Sequence, residues 1–217
     1  MTYPEIRRRM LAVAFVVAAP VVLVSALLYA FGVDVNPGLT DWGSGVEGLV
    51  GYVGYVFLTP VWLHLAARAG AHRPVLGAIA AVTALIGVGG AIANMTARVV
   101  IASLVDVGVT VETLDAWMEQ FSSGEAVMLV LVLMSGTCGP LTSILVGVGM
   151  LRSVDRNAGI LLIAAGPVFL VGQALSIGAQ VFYPLAIAIW CAALVPLGLQ
   201  MWRESVGAAS ADPAHAG

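Results

Sequence analysis

Lysine is missing altogether from the 217 residues of this chain. That removes a Schiff-base anchor for retinal and any lysine nucleophile. Charge of either sign is scarce, at 10% of residues, where an average soluble domain carries roughly 25%. Cysteine is nearly absent as well. Cys138 and Cys191 each lie within an apolar run, where a free thiol behaves as a small buried hydrophobe, and their separation makes no CxxC redox or zinc signature. No basic patch exists outside short loops, so nucleic acid is not an expected partner. The chain also lacks HExxH, GxSxG, a Walker loop and an aspartate-rich pair for magnesium-diphosphate work. His64 and His72 have no third ligand at suitable spacing, so neither a metal nor a cofactor is expected.

What fills the chain instead is apolar: 60% hydrophobic residues and a mean hydropathy of +1.01. A membrane-spanning helix needs about 20 such residues, and six runs qualify, at 10–32, 46–68, 75–104, 125–151, 158–179 and 182–202. The first run follows Arg7-Arg8-Arg9, but it is longer than the 7–15 residues of a signal-peptide core and lacks a clear small-x-small cleavage site. It is therefore expected to be a retained helix. Residues 1–204 are expected to form one transmembrane domain, and 205–217, which includes His215, a disordered cytoplasmic tail.

Arginine sets the expected orientation. Arg7, Arg8 and Arg9 precede the first run, Arg68 and Arg73 flank the second connection, Arg152 and Arg156 the fourth, and Arg203 follows the last run. Carboxylates dominate the alternate side: Asp34, Asp41, Glu47, Asp106, Glu112, Asp115, Glu119 and Glu125. By the positive-inside rule both termini are cytoplasmic. The expected fold is an all-α, six-helix polytopic bundle in a bacterial cytoplasmic membrane. The longest connection adds a short extracytoplasmic amphipathic helix over about 110–121, capped by Thr110, with Val111, Leu114, Trp117, Met118 and Phe121 on one face.

Helix breakers recur inside the runs at Pro20, Thr59-Pro60, Gly139-Pro140, Gly166-Pro167 and Pro196, as kinks of a packed bundle or as hinges. The hydroxyls of Thr142 and Ser143 are expected to bond back to their own helix at the Pro140 kink. The segment 145–167, a small-residue helix end, a short turn with Arg152 and Arg156, then Gly159 and a Leu/Ile run to Gly166-Pro167, resembles a hairpin of uncharacterised, actinobacterial-type multi-spanning membrane proteins, although many of those have a proline where this chain has Asp155-Arg156-Asn157. That resemblance implies a membrane protein and no particular activity, cofactor or catalytic residue.

One arginine has no role in orientation. Arg98 shares a face of the third run with Thr83, Gly87, Gly90 and Asn94. It lies about 36 Å along the helix from Pro74, at or just below the far boundary. A charge there needs a partner or a water-filled cavity, because burying it costs at least about 2.5–3.5 kcal/mol. Glu47 begins the second run and Glu125 the fourth. Gln173 and Gln180 are seven apart on the fifth, and Tyr52 and Tyr55 lie on the second. Together with Asn94 and Arg98 these residues form the candidate ligand site, an outward-facing polar pocket that would bind or pass a small polar or lipid-like molecule. Two alternatives stand beside it. One is a membrane-embedded enzyme using Glu47 and Glu125 as acid and base on a lipophilic substrate. The other is a structural or accessory subunit that packs against partner chains or other copies.

Overall fold

A computed structural model describes residues 3–32, 45–114, 116, 134–175 and 179–210. Helix accounts for 92% of these residues, and there is no strand among them. Helices satisfy their own backbone groups, which is what hydrocarbon demands of a spanning segment. The main elements are α1 (Tyr3–Ala30), α2 (Gly45–Gly70), α3 (Pro74–Asp106), α4 (Gly139–Met150, led in by a π turn at Met134–Cys138), α5 (Arg156–Leu175) and α6 (Ala179–Ser210). Four of them, α1, α2, α3 and α6, are long and apolar enough to cross a membrane, and α4 and α5 are shorter apolar helices.

Each helix packs against its neighbour in sequence, and α1 packs against α6 to close a ring. Neighbours run antiparallel. The end of α2 meets the start of α3 at Gly70 and Gly77, the start of α2 meets the end of α3 at Gly48 and Arg98, and the start of α1 meets the end of α6 at Gly198. All arginines except Arg98 therefore collect at one end of the ring.

Close approach depends on small residues, as expected where lipid supplies no hydrophobic drive between helices. A Cβ on Gly147 would lie 2.6 Å from the Gly159 carbonyl oxygen on α5, and one on Gly198 would lie 2.7 Å from Phe15 Cβ on α1. The middle of the ring is filled. Trp62 on α2 meets Trp190 on α6 edge-on at 5.2 Å, and Trp190 stacks on Phe169 of α5 at 5.9 Å. Trp190 Nε1 donates to Ser143 Oγ at 3.0 Å, and that hydroxyl donates to the Leu162 carbonyl at 2.6 Å. Ser143 thus bonds across to α5, not back to its own helix as expected, because the indole beside it fixes the hydroxyl's direction. Thr142 does bond back: its Oγ1 lies 2.8 Å from the Cys138 carbonyl and 2.9 Å from Thr83 Oγ1.

Past the α3 C-terminus, Gly108 adopts φ +94°. Its amide bonds to Val105 at 2.9 Å and that of Val109 bonds to Leu104 at 3.0 Å. These paired bonds form a Schellman stop. Thr110 then caps the next turn, with its Oγ1 accepting from the Thr113 amide at 3.3 Å, and residues 111–114 are helical. Leu114 is buried against Ile101, so this turn packs on the end of α3. Its own amide and the Thr110 hydroxyl hold the Glu112 carboxyl below its ordinary value. The anion therefore favours this turn, and that contribution is lost as pH falls through the lowered value. Trp117, Met118 and Phe121 lie outside the described residues.

Two boundaries differ from expectation. Residues 205–210, expected in a disordered tail, continue α6. Ser205 is buried and bonds back to the Trp202 carbonyl at 2.7 Å, and Glu204 is tied to α1, so the helix end has tertiary support. Gln173 and Gln180, expected on one helix, fall on two. Gln173 belongs to α5 (Arg156–Leu175) and Gln180 to α6 (Ala179–Ser210), and the two helices pack against each other, with Gly172 beside Phe182.

Two glycine substitutions separate packing from propensity. Gly147→Val should lower stability by about 1–3 kcal/mol, because its side chain meets α5 backbone. Gly89→Ala, where an added Cβ meets nothing within 4 Å, should be neutral or stabilise by up to about 1 kcal/mol. Thermal unfolding in detergent reads both.

Candidate functional site

At the end of the ring away from the other arginines, Arg98 Nη1 donates to Glu47 Oε2 at 2.9 Å. The side chains are 13% and 1% exposed, so the pair is almost fully withdrawn from solvent and lipid. Tyr29 of α1 lies under the guanidinium, 5.2 Å from its carbon to the ring centroid. Ser25 of α1 donates to the Glu47 carbonyl at 3.0 Å. Arg98 Nε is buried and makes no hydrogen bond. Three helices thus meet in one polar knot.

Glycine makes the knot possible. Gly45, Gly48, Gly51 and Gly54 recur every third residue along α2. On a helix of 3.6 residues per turn such a stripe drifts around the axis. A Cβ on Gly45 would meet Ala102 of α3, and one on Gly48 would lie 2.8 Å from the Met95 carbonyl. On Gly51 it would touch both Met95 and Ser25, and on Gly54 it would lie 2.6 Å from Val22 of α1. The stripe passes α2 from one neighbour to the other.

Other residues of the expected outward pocket do not gather at the knot. Tyr55 is buried, and its hydroxyl pairs with that of Tyr183 at 3.1 Å, tying α2 to α6. Tyr52 faces outward at 40% exposure. Gln180 is exposed on α6, and Asn94 is half-buried one turn before Arg98. Glu125 and the side chain of Gln173 lie outside the described residues. Tyr29 and Ser25 are the additions that sequence reasoning missed, and the three-residue glycine period was the available signal for a close α1–α2–α3 junction.

A second feature lies at the arginine-rich end. A groove of about 1130 Å³ runs between α1, α2 and α6. Its deep walls are apolar, with Leu11 and Ala14 from α1, Val56, Phe57, Pro60 and Leu63 from α2, and Leu197 and Met201 from α6. Its mouth carries Arg7, Arg8, Arg68, His64, Asp155 and Glu204. Arg8 bonds to Glu204 at 2.6 Å and Arg68 to Asp155 at 2.7 Å. His64 meets Phe15 edge-on at 5.9 Å. Among the described residues no group of three or more His, Cys, Asp or Glu is placed to hold a metal ion.

No family model, curated protein or solved structure matches this chain. The knot and the groove can do different things chemically. The knot is closed: Glu47 is bonded to Arg98 and almost without exposed surface, so its carboxylate presents no open face for acid/base work. The groove is open, with apolar walls and an ionic rim, the arrangement that receives an amphiphile.

Removing one partner of a buried pair strands the other charge, at about 3–5 kcal/mol, while replacing both with apolar groups is often neutral. Arg98→Ala and Glu47→Ala should each lower the unfolding temperature sharply in detergent. Arg98→Met combined with Glu47→Leu should recover most of that loss. A double variant no more stable than either single one would show that the pair does more than neutralise charge within the bundle.

Proposed function

We propose that this chain is a multi-pass protein of a bacterial cytoplasmic membrane, with six spans and both termini inside, that binds a lipid-like molecule without chemically altering it. The observation that carries this reading is the groove between α1, α2 and α6. Its depth supports a lipid occupant. From Pro4 to Ala14 α1 rises about 15 Å, and from Val56 to Arg68 α2 rises about 18 Å, against a hydrocarbon leaflet of about 15 Å. Met10, Val56 and Phe57 along its walls are exposed, so an acyl chain lying there would cover apolar surface and remain within hydrocarbon. The ionic mouth would then stand at headgroup level.

The outward-facing pocket expected around Arg98 is not the favoured site. Glu47 already neutralises the charge that made that position conspicuous, and Tyr29 covers it. The filled ring centre, with Trp62 and Trp190 almost without exposed surface, favours lateral uptake from the bilayer over passage along the ring axis.

Full-length protein extracted in a mild detergent should retain about one lipid per chain in native mass spectrometry. Leu63→Trp, which fills the groove wall, should lose it with little change in unfolding temperature. Met201→Trp should act the same way from the α6 side. Retention of lipid in both variants, or its absence from the wild type under conditions that preserve the fold, would overturn the assignment.

A further inference from the structure

We infer that the groove selects a phospholipid whose headgroup carries net negative charge, with its phosphate held at the arginine rim. This rests on the lipid-binding reading above. The rim carries three arginines, Arg7, Arg8 and Arg68, against two carboxylates, Asp155 and Glu204. The balance is one excess positive charge before His64 is considered.

The bonding sharpens this balance. Glu204 uses both carboxylate oxygens, Oε2 for Arg8 and Oε1 for Gln200 at 3.1 Å. Asp155 accepts from Arg68 at 2.7 Å, with its side chain only 10% exposed. Asp155 is thus mostly covered, and Glu204, though half-exposed, is already shared between two donors, so an ammonium group would compete with bonds already made. The guanidinium groups are less committed. Each carries five N–H donors in a planar fork, and of the three rim arginines Arg8 and Arg68 have acid partners. Arg7 has none and is exposed at the rim. Planar donor forks beside one another are the chemistry that phosphate oxygens fit. An anionic headgroup would therefore meet free N–H donors and a net attraction, with each rim carboxylate already accepting from an arginine.

The occupant is a phospholipid and not a single-chain acid, because the groove joins two features at one leaflet's spacing. The apolar walls reach toward the bilayer centre, and the arginines stand where a diester phosphate lies when its chains are inserted. Anionic lipids of the cytoplasmic leaflet are the ready supply, each nearby arginine contributing about 1 kcal/mol of attraction, or about five-fold in affinity.

The test uses full-length protein in detergent titrated with dioleoylphosphatidylglycerol or dioleoylphosphatidylcholine, which share their chains, with bound lipid counted by native mass spectrometry. Wild type should prefer the glycerol lipid by about five-fold or more. Arg7→Gln should cut that preference about five-fold and leave binding of the choline lipid unchanged. Glu204→Gln, which releases Arg8 from its carboxylate, should raise the preference. A purely structural role for Arg7 would instead weaken both lipids alike and overturn the inference. Equal binding of both lipids by the wild type, abolished in both cases by Leu63→Trp, would overturn the headgroup selection and leave the groove as a lipid site. If Leu63→Trp alters neither, the lipid-binding reading falls with it. Oleate outcompeting the glycerol phospholipid at equal concentration would also overturn the choice of occupant.

Discussion

An arginine near the boundary of a hydrocarbon phase must be neutralised where it stands, and the ion pair between Arg98 and Glu47 does this inside the bundle. Much of the geometry at that end depends on it. Glu47 must begin α2 where Arg98 approaches the end of α3, so the two helices are held in register as an antiparallel pair. Tyr29 and Ser25 bring α1 onto the same point, and the glycine stripe of α2 lets all three backbones come close enough for the polar atoms to meet. A bulkier residue at Gly48 or Gly51 would separate the helices and leave a charge with no partner.

The opposite end is built differently. There the arginines bond to carboxylates on other segments, Arg8 to α6 and Arg68 to the α4–α5 turn, at side-chain exposures near one half on the arginine side. An exposed pair such as Arg8–Glu204 holds helices weakly, at about 0–1 kcal/mol, and can exchange partners at little cost. α1 and α6 stay in close contact at Gly198, and with α2 they line the groove at this end. One end is thus closed by a buried pair and glycine packing, while the other is open and rimmed by exchangeable ionic bonds. A site for an amphiphile fits the second end far better than the first.

Much of the frame was legible in the residues. The apolar runs and the alternation of arginine with carboxylate implied an all-helical chain with two distinct ends. The exception of Arg98 pointed to the need for a partner, and Glu47 was among the candidates because it begins the second run on the same side. Thr110 announced its cap through its position before an amphipathic stretch. Tyr29 and Ser25 were not legible, since within a uniformly apolar run nothing distinguishes which face meets a neighbour. The groove was hidden for a related reason. It is a gap between two consecutive helices and the sequence-distant α6, and spacing along one helix cannot reveal where two others fail to fill space. The separation of Gln173 from Gln180 was missed because helical spacing was carried from α5 into α6, two helices that pack against each other at Gly172 and Phe182.

The central claim is that lipid is held at the open end and excluded from the closed one. It can be tested most directly with a photoreactive benzophenone side chain placed singly at Phe57, on the groove wall, or at Leu49, an exposed position near the Arg98 end of the same helix. After partial delipidation in detergent, irradiation should yield a phospholipid adduct at Phe57 and little at Leu49. Equal adducts at both positions, or an adduct confined to Leu49, would contradict the account.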